Sequence, residues 1–285
     1  MPSGSTSESR EILVVGAGIG GLTLALALHA AGLRVRVFEA AAALRELGVG
    51  VNLLPHAMRE LAGLGLEQRL AAVAVTTREV VFCNRFGQTV LTEPRGRHAG
   101  YAWPQLSIHR ADLQRVLLEA VRERLGPQAV VLGRRCVGVT QGAAGVTLRF
   151  ADGTAESGGA AIGCDGIHSA VRRALHPGEG PPSFEGIHMW RGVTRRKPYL
   201  TGASMVMAGW LDVGKLVVYP IRDDIDGEGT QLVNWVAELQ SPAPALHDWS
   251  RPGRLQSCST CLDDWISATQ FTSCVPCPSM SSRIG

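Results

Sequence analysis

The chain has 285 residues, 45% of them hydrophobic, enough to bury a large core in one composite unit or two closely joined domains. A net charge of +3 and a pI near 8.6 are too mild to imply nucleic acid, and no segment interleaves basic and aromatic residues into a base-stacking platform. Residues 1–10 are polar and Ser-rich with no apolar run of a secretory signal, so they read as a disordered leader and point to the cytoplasm, where Cys83, Cys136 and Cys164 stay thiols.

Residues 11–15 form a short, β-branched apolar run suited to a buried parallel strand. Gly16-Ala17-Gly18-Ile19-Gly20-Gly21 follows, then a Leu- and Ala-rich helix through Ala31 that Gly32 stops. Gly16 allows a tight turn, Gly18 lets backbone approach a pyrophosphate, and Gly21 lets the helix pack closely on the strand. The helix start offers unpaired N–H groups and the positive end of its dipole to the phosphates. A second strand at 34–38 ends on Glu39, placed to accept a ribose hydroxyl; an acid there would repel a 2′-phosphate, so the site suits FAD or NAD over NADP. The stretch from Ile12 to Leu33 is long and almost uncharged, but its clustered glycines and His29 argue against a membrane span.

A Gly/Val stretch at 48–53 is placed to run close to a ligand, and helices are expected at 55–62 and 66–72. Strands at 75–84 and 89–93 flank a turn at Arg85-Phe86-Gly87, and 94–104 is an irregular basic loop. A helix at 110–125 carries Leu113, Val116, Leu117, Ala120 and Val121 on one face. Strands follow at 129–132, 135–140, 146–150 and 160–164, with Asp152-Gly153 as a hairpin turn. Gly163-Cys164-Asp165-Gly166-Ile167-His168-Ser169 then leads from strand into helix, placing Asp165 at the C-terminal edge of the sheet, where open α/β folds bind ligands. Asp165 is read either as a cofactor-binding acid or as part of an Asp-Gly turn capped by Ser169. Beyond Pro182 the pattern is mainly β, at 187–193, 203–207, 215–221 and 232–239.

Taken together, the glycine fingerprint, Glu39, residues 48–52, His109-Arg110 and the Asp165-to-Arg172 motif resemble the single-component FAD aromatic hydroxylases, the family of the para-hydroxybenzoate and salicylate hydroxylases. Residues 104–110, 189–194 and 232–236 are similar to its phenazine-modifying members. The resemblance implies an α/β fold, with a Rossmann-like FAD-binding domain (11–74 and 105–182) interleaved with a mainly β substrate sheet (75–104 and 183–255), and a tail at 256–285 that is atypical and unstructured. It implies FAD as cofactor, NADH or NADPH as reductant, O2 and a small aromatic substrate, with most of the chemistry in the cofactor rather than in a catalytic triad. By position it implies that Gly16, Ala17, Gly18 and Gly21 hold the pyrophosphate and Glu39 the ribose. Arg110 would then contact the phosphates, Val137 present backbone to the adenine, and Asp165 and Gly166 link the FAD and nicotinamide sites. Met189, Trp190, Met205, Met207 and Tyr219 would roof the substrate, although such residues in alternating strands also read as plain core.

The chain departs from the family pattern in having no Gly-Asp dipeptide, the second motif that holds the flavin in these enzymes. From about Gln256 the composition turns to Ser, Cys, Thr and Pro. Cys258, Cys261, Cys274 and Cys277 form two CxxC pairs with zinc-like spacing, but a reading-frame change after Leu255 is the favoured reading, with the C-terminal third of the family missing or replaced. Such a chain is expected to hold FAD weakly and to aggregate. The rival readings are an NAD-linked oxidoreductase and a non-catalytic flavin- or zinc-binding remnant.

Overall fold

The structure, a computed structural model, describes residues 11–44, 48–143, 145–210 and 214–240. The leader, the two CxxC pairs and the proposed frame change all lie outside the described residues.

The chain opens with β1 (Ile12–Val15), α1 (Ile19–Ala30) and β2 (Val35–Phe38), followed by β3 (Gly50–Leu53), α2 (Pro55–Gly63) and α3 (Glu67–Ala71). Next come β4 (Ala74–Thr76), β5 (Glu79–Cys83), β6 (Thr89–Pro94), β7 (Leu106–His109) and α4 (Arg110–Leu125). Then follow β8 (Val130–Val131), β9 (Cys136–Gly142), β10 (Gly145–Phe150), β11 (Ala155–Gly158), β12 (Ala160–Gly163) and α5 (Ala170–Leu175). Four longer strands complete the described chain: β13 (Ile187–Arg196), β14 (Ser204–Trp210), β15 (Gly214–Arg222) and β16 (Gln231–Gln240).

These elements form two compact units. In the first, which takes residues 11–44 and 113–182, β1 runs parallel between β12 and β2, and β8 adds beyond β2. A central parallel strand needs apolar residues on both faces, which is why Leu13, Val14 and Val15 are all buried. The antiparallel β9–β11 sheet contributes Leu148 and Phe150 to a core with Leu13, Val15, Phe38 and Val171, the Phe38 and Phe150 rings meeting at 5.0 Å. Helix α1 buries Leu22, Ala25 and Leu26, and its length of 12 residues settles the apolar run from Ile12: among the described residues no helix is long and apolar enough to cross a membrane.

The second unit takes residues 48–112 and 183–240 and is built on a six-stranded sheet ordered β13-β16-β15-β14-β5-β6. Its pairs are antiparallel except β5 with β14. Strand alternation divides its apolar residues between two faces. Val206, Val218, Val233, Trp235 and Ala237 share one; Val217, Tyr219 and Ile221, with Met205, Met207, Leu232 and Val236, share the other.

Three features differ from the sequence reading. The single strand expected at 75–84 is two strands in different sheets, because the chain leaves the small β3-β7-β4 sheet at buried Thr77, whose hydroxyl bonds Ser107 at 2.7 Å, before β5 joins the large sheet. The strand β11 was not anticipated: Ala155–Gly158 is short and polar, held by its ladder to β10 and by the Thr147–Ser157 hydroxyl contact at 2.9 Å. Residues 48–74 and 105–112, expected with the cofactor domain, pack with the sheet unit instead, since Gly50 lies flush on Tyr219, Ile221 and Asn234.

Candidate functional site

The turn between β1 and α1 gives three glycines of the fingerprint, Gly16, Gly18 and Gly21, distinct physical reasons. Gly16 has φ of +104°, and a side chain there would also meet the Cys164 carbonyl. A Cβ on Gly21 would overlap the Gly16 carbonyl oxygen, so the helix can seat on the strand only without it. Gly18 is different. It adopts an ordinary extended conformation, φ −69° and ψ 179°, and beyond its chain neighbours no atom of the described residues lies within 4 Å of where its Cβ would be. Nothing in the protein's own packing requires glycine at 18, and the open space beside the start of α1 is where a phosphate would come against backbone. The helix start has no acidic residue in its first turn and no side-chain cap, so its N–H groups and the positive end of its dipole are open to an anion.

Glu39 braces this turn. Its Oε2 accepts the Ala17 N–H and its Oε1 the Ala41 N–H, each at 2.8 Å. Each carboxylate oxygen keeps a further lone pair with which to accept a hydroxyl. Gln114 on α4, which sequence reasoning did not single out, donates from Nε2 to the Ala17 carbonyl at 2.9 Å and ties the helix to the same turn. Val137 lies on β9, an edge strand, at the irregularity where the register passes from Gly138–Arg149 to Cys136–Phe150 and leaves Val137 without a ladder partner. Its side chain is exposed.

Asp165 is engaged within the protein. Oδ1 accepts the Ser169 hydroxyl at 2.5 Å, and Oδ2 accepts the Ala170 N–H at 2.6 Å and the Val171 N–H at 3.3 Å. Ser169 in turn accepts the Arg172 N–H at 2.9 Å, so the two residues together cap α5. This is the capped-turn arrangement the sequence allowed. Gly166, at φ +76°, closes the turn. The Asp165 charge also reaches two thiols: burial pushes Cys136 and Cys164 up, and Asp165 adds to both. Among the described residues no cluster of His, Cys, Asp and Glu is arranged to hold a metal.

Arg110 opens α4 and belongs to the second unit; its main-chain N–H bonds the Val49 carbonyl at 2.9 Å. Its Nε is buried with no hydrogen-bond partner among the described residues, an unmet donor suited to an anion. Of the five residues expected to roof a substrate, Met205, Met207 and Tyr219 share one sheet face, and Met189 is on that face by register but half-exposed at its edge. Trp190 is on the opposite face, packed on the Trp235 cluster, and is separated from the other four. Burial pushes the Tyr219 phenol up to about 12, opposed by Arg110 and Asn234. Asn234, fully buried in β16, was not anticipated; its Oδ1 accepts the Gly50 N–H at 2.7 Å. The one signal for it was an amide in an otherwise apolar run.

These observations fit the pyrophosphate and ribose half of a dinucleotide: an open space at Gly18, a bare helix start and a carboxylate with spare acceptors. The family model described as FAD binding domain matches residues 9–208. Phenazine 1,6-dicarboxylic acid hydroxylase PhzS of Lysobacter antibioticus is 40% identical over 264 residues, covering 88% of this chain and 64% of that protein. Salicylate hydroxylase of Pseudomonas putida is 31% identical, over 81% of this chain and 56% of the enzyme. Among solved structures, 2,6-dihydroxypyridine-3-hydroxylase of Arthrobacter nicotinovorans superposes with a TM-score of 0.67 at 27% identity, over 86% of this chain and 60% of that one. Klebsiella pneumoniae HpxO, complexed with FAD and uric acid, shares the fold at a TM-score of 0.75 and 22% identity, over 94% of this chain and 65% of that one. The chain thus spans less than two thirds of the length of these relatives.

Proposed function

Because the chain belongs to the family of FAD-dependent aromatic hydroxylases, we propose that it binds FAD at the β1–α1 turn and serves the hydroxylation of a small aromatic acid, of phenazine type, with NAD(P)H and O2. The observation that carries this reading is the start of α1, where the extended backbone at Gly18 leaves open space beside N–H groups that no side chain caps. When bound, FAD supplies the redox chemistry between NAD(P)H and O2.

The chain's own residues would bind and orient. The N–H groups at the start of α1, with Gly16, Ala17 and Gly18, hold the pyrophosphate, and Glu39 holds the ribose while keeping its bonds to Ala17 and Ala41. The unpaired strand position at Val137 offers backbone to the adenine, while Arg110, in the second unit, keeps a buried Nε suited to an anion. Asp165 acts through α5 and the Gly166 turn, since its carboxylate oxygens already cap the helix. On the large sheet, Met205, Met207 and Tyr219 form an apolar wall that keeps water from the reacting ring, and Tyr219, protonated at neutral pH, offers it a phenol donor. The thiol state of Cys83, Cys136 and Cys164 is consistent with a cytoplasmic setting.

The test is product analysis. The chain is incubated with FAD, NADH or NADPH and a phenazine carboxylic acid under 18O2; the reading expects a product with one labelled oxygen and reductant consumption that rises with the acid. Reductant consumption indifferent to every aromatic acid, with no oxygenated product, would favour the NAD-linked or non-catalytic alternatives.

A further inference from the structure

Asn234 has a side chain that no role so far explains. It sits within β16, fully buried, in a run whose neighbours Val233, Trp235 and Ala237 are apolar. An amide in that setting costs free energy unless it is hydrogen-bonded, so its partners show why it is tolerated. Its Oδ1 accepts the Gly50 N–H, 184 residues away in the sequence. Only an acceptor can face an N–H, so this bond fixes which way the amide is turned, and the same side chain also hydrogen-bonds the Tyr219 phenol.

The contact is close. A Cβ on Gly50 would come within 2.7 Å of Ile221 Cγ2, 2.8 Å of Tyr219 Cε2 and 3.0 Å of Asn234 Cβ, so the start of β3 lies directly on the sheet. On its other side β3 pairs with β7, Gly50 opposite His109, and the next rung is the Arg110 N–H to the Val49 carbonyl. Residues 49 and 50 are thus held between the Asn234 amide and the residue that opens α4.

We infer that Asn234 is a positioning residue: through Gly50 and Val49 it fixes the main chain of Arg110 and so the aim of that residue's buried guanidinium Nε, which has no partner among the described residues, toward an anionic ligand. The ligand half of this statement rests on the cofactor reading above; the mechanical half does not. Three forms of the full chain are compared. Asn234→Leu keeps the volume and removes the acceptor, and Asn234→Asp keeps the acceptor. Two quantities are read: amide hydrogen exchange of residues 49–53, and the FAD dissociation constant by fluorescence titration. The Leu variant is expected to lose protection across 49–53 while 204–222 stays protected, and to bind FAD about tenfold more weakly, equivalent to about 1.4 kcal/mol. The Asp variant is expected to recover most of both. If Asn234→Leu does not fold, Asn234→Ser, whose hydroxyl is too short to reach Gly50, makes the same comparison. Wild-type protection at 49–53 in the variant lacking the acceptor overturns the inference whatever FAD does. Lost protection in a chain whose wild type takes up no FAD leaves the latch standing and sinks the cofactor reading.

Discussion

Gly18 and Gly21 are two alanine substitutions, three residues apart, with opposite expected outcomes. At Gly18 the backbone is extended and, beyond its chain neighbours, no atom of the described residues stands within 4 Å of the new methyl. Alanine is a poorer N-cap than glycine by about 0.5–1 kcal/mol. Reduced freedom of the unfolded chain returns about 0.4–1 kcal/mol. The net change in stability is therefore within about 0.5 kcal/mol. At Gly21 the methyl overlaps the Gly16 carbonyl oxygen and comes within 3.1 Å of its carbon and 3.3 Å of Cys164 Cβ. Backbone atoms cannot rotate aside, so the overlap costs about 3 kcal/mol or more. Alanine's better helix propensity offsets about 1 kcal/mol, leaving a net loss of at least ~2 kcal/mol, or roughly 4–8 °C in midpoint for a domain of this size. FAD binding orders them differently: Gly18→Ala, folded and stable, loses at least about tenfold in affinity because its methyl enters the phosphate space. Thermal unfolding and a fluorescence titration on each variant decide the matter. Wild-type FAD affinity in Gly18→Ala, or wild-type stability in Gly21→Ala, refutes the division of labour.

Asp165→Ala removes three bonds at the start of α5 and is expected to cost about 1–2 kcal/mol, with faster amide exchange confined to 170–175. The buried phenol of Tyr219 is raised to about 12, and that of Tyr199 is raised by burial as well. An acid whose folded pKa lies above its unfolded value of about 10 contributes stability that is complete below pH 10 and lost as pH rises toward 12. Unfolding free energy measured from pH 8 to 12 is expected to fall by up to about 1.4 kcal/mol per pH unit for each such tyrosine, and less steeply in Tyr219→Phe. The Cys83 and Cys136 thiols are buried, and burial raises Cys136 and Cys164; peptide mapping after brief alkylation at pH 7.5 is expected to find these three largely unmodified until denaturant is added.

The first βαβ unit was legible because its determinants are local: an apolar run for a central strand, glycines at the turn and an acid at the end of the next strand. The long strands after residue 186 were legible for the same reason, through alternation. What the sequence left open depends on partners far along the chain. Thr77 divides a run that reads as one strand because its hydroxyl has a partner at Ser107. β11 exists because β10 pairs with it. Whether Asp165 faces a ligand or a helix start was undecidable from Asp-Gly alone, and the geometry places its carboxylate on α5. Trp190 could have been separated from Met189 by strand parity, since adjacent residues face opposite ways. Asn234 could not have been matched to Gly50, because nothing local marks a bond spanning 184 positions.

The central claim is that the β1–α1 turn holds the phosphates of FAD. Its most direct measurement is an equilibrium titration of FAD fluorescence with the purified chain, repeated in the presence of ADP-ribose. The account predicts saturable one-to-one binding that ADP-ribose competes away, because the fitted features are those of the pyrophosphate and ribose. Absence of saturable binding, or binding that ADP-ribose leaves untouched, would contradict it.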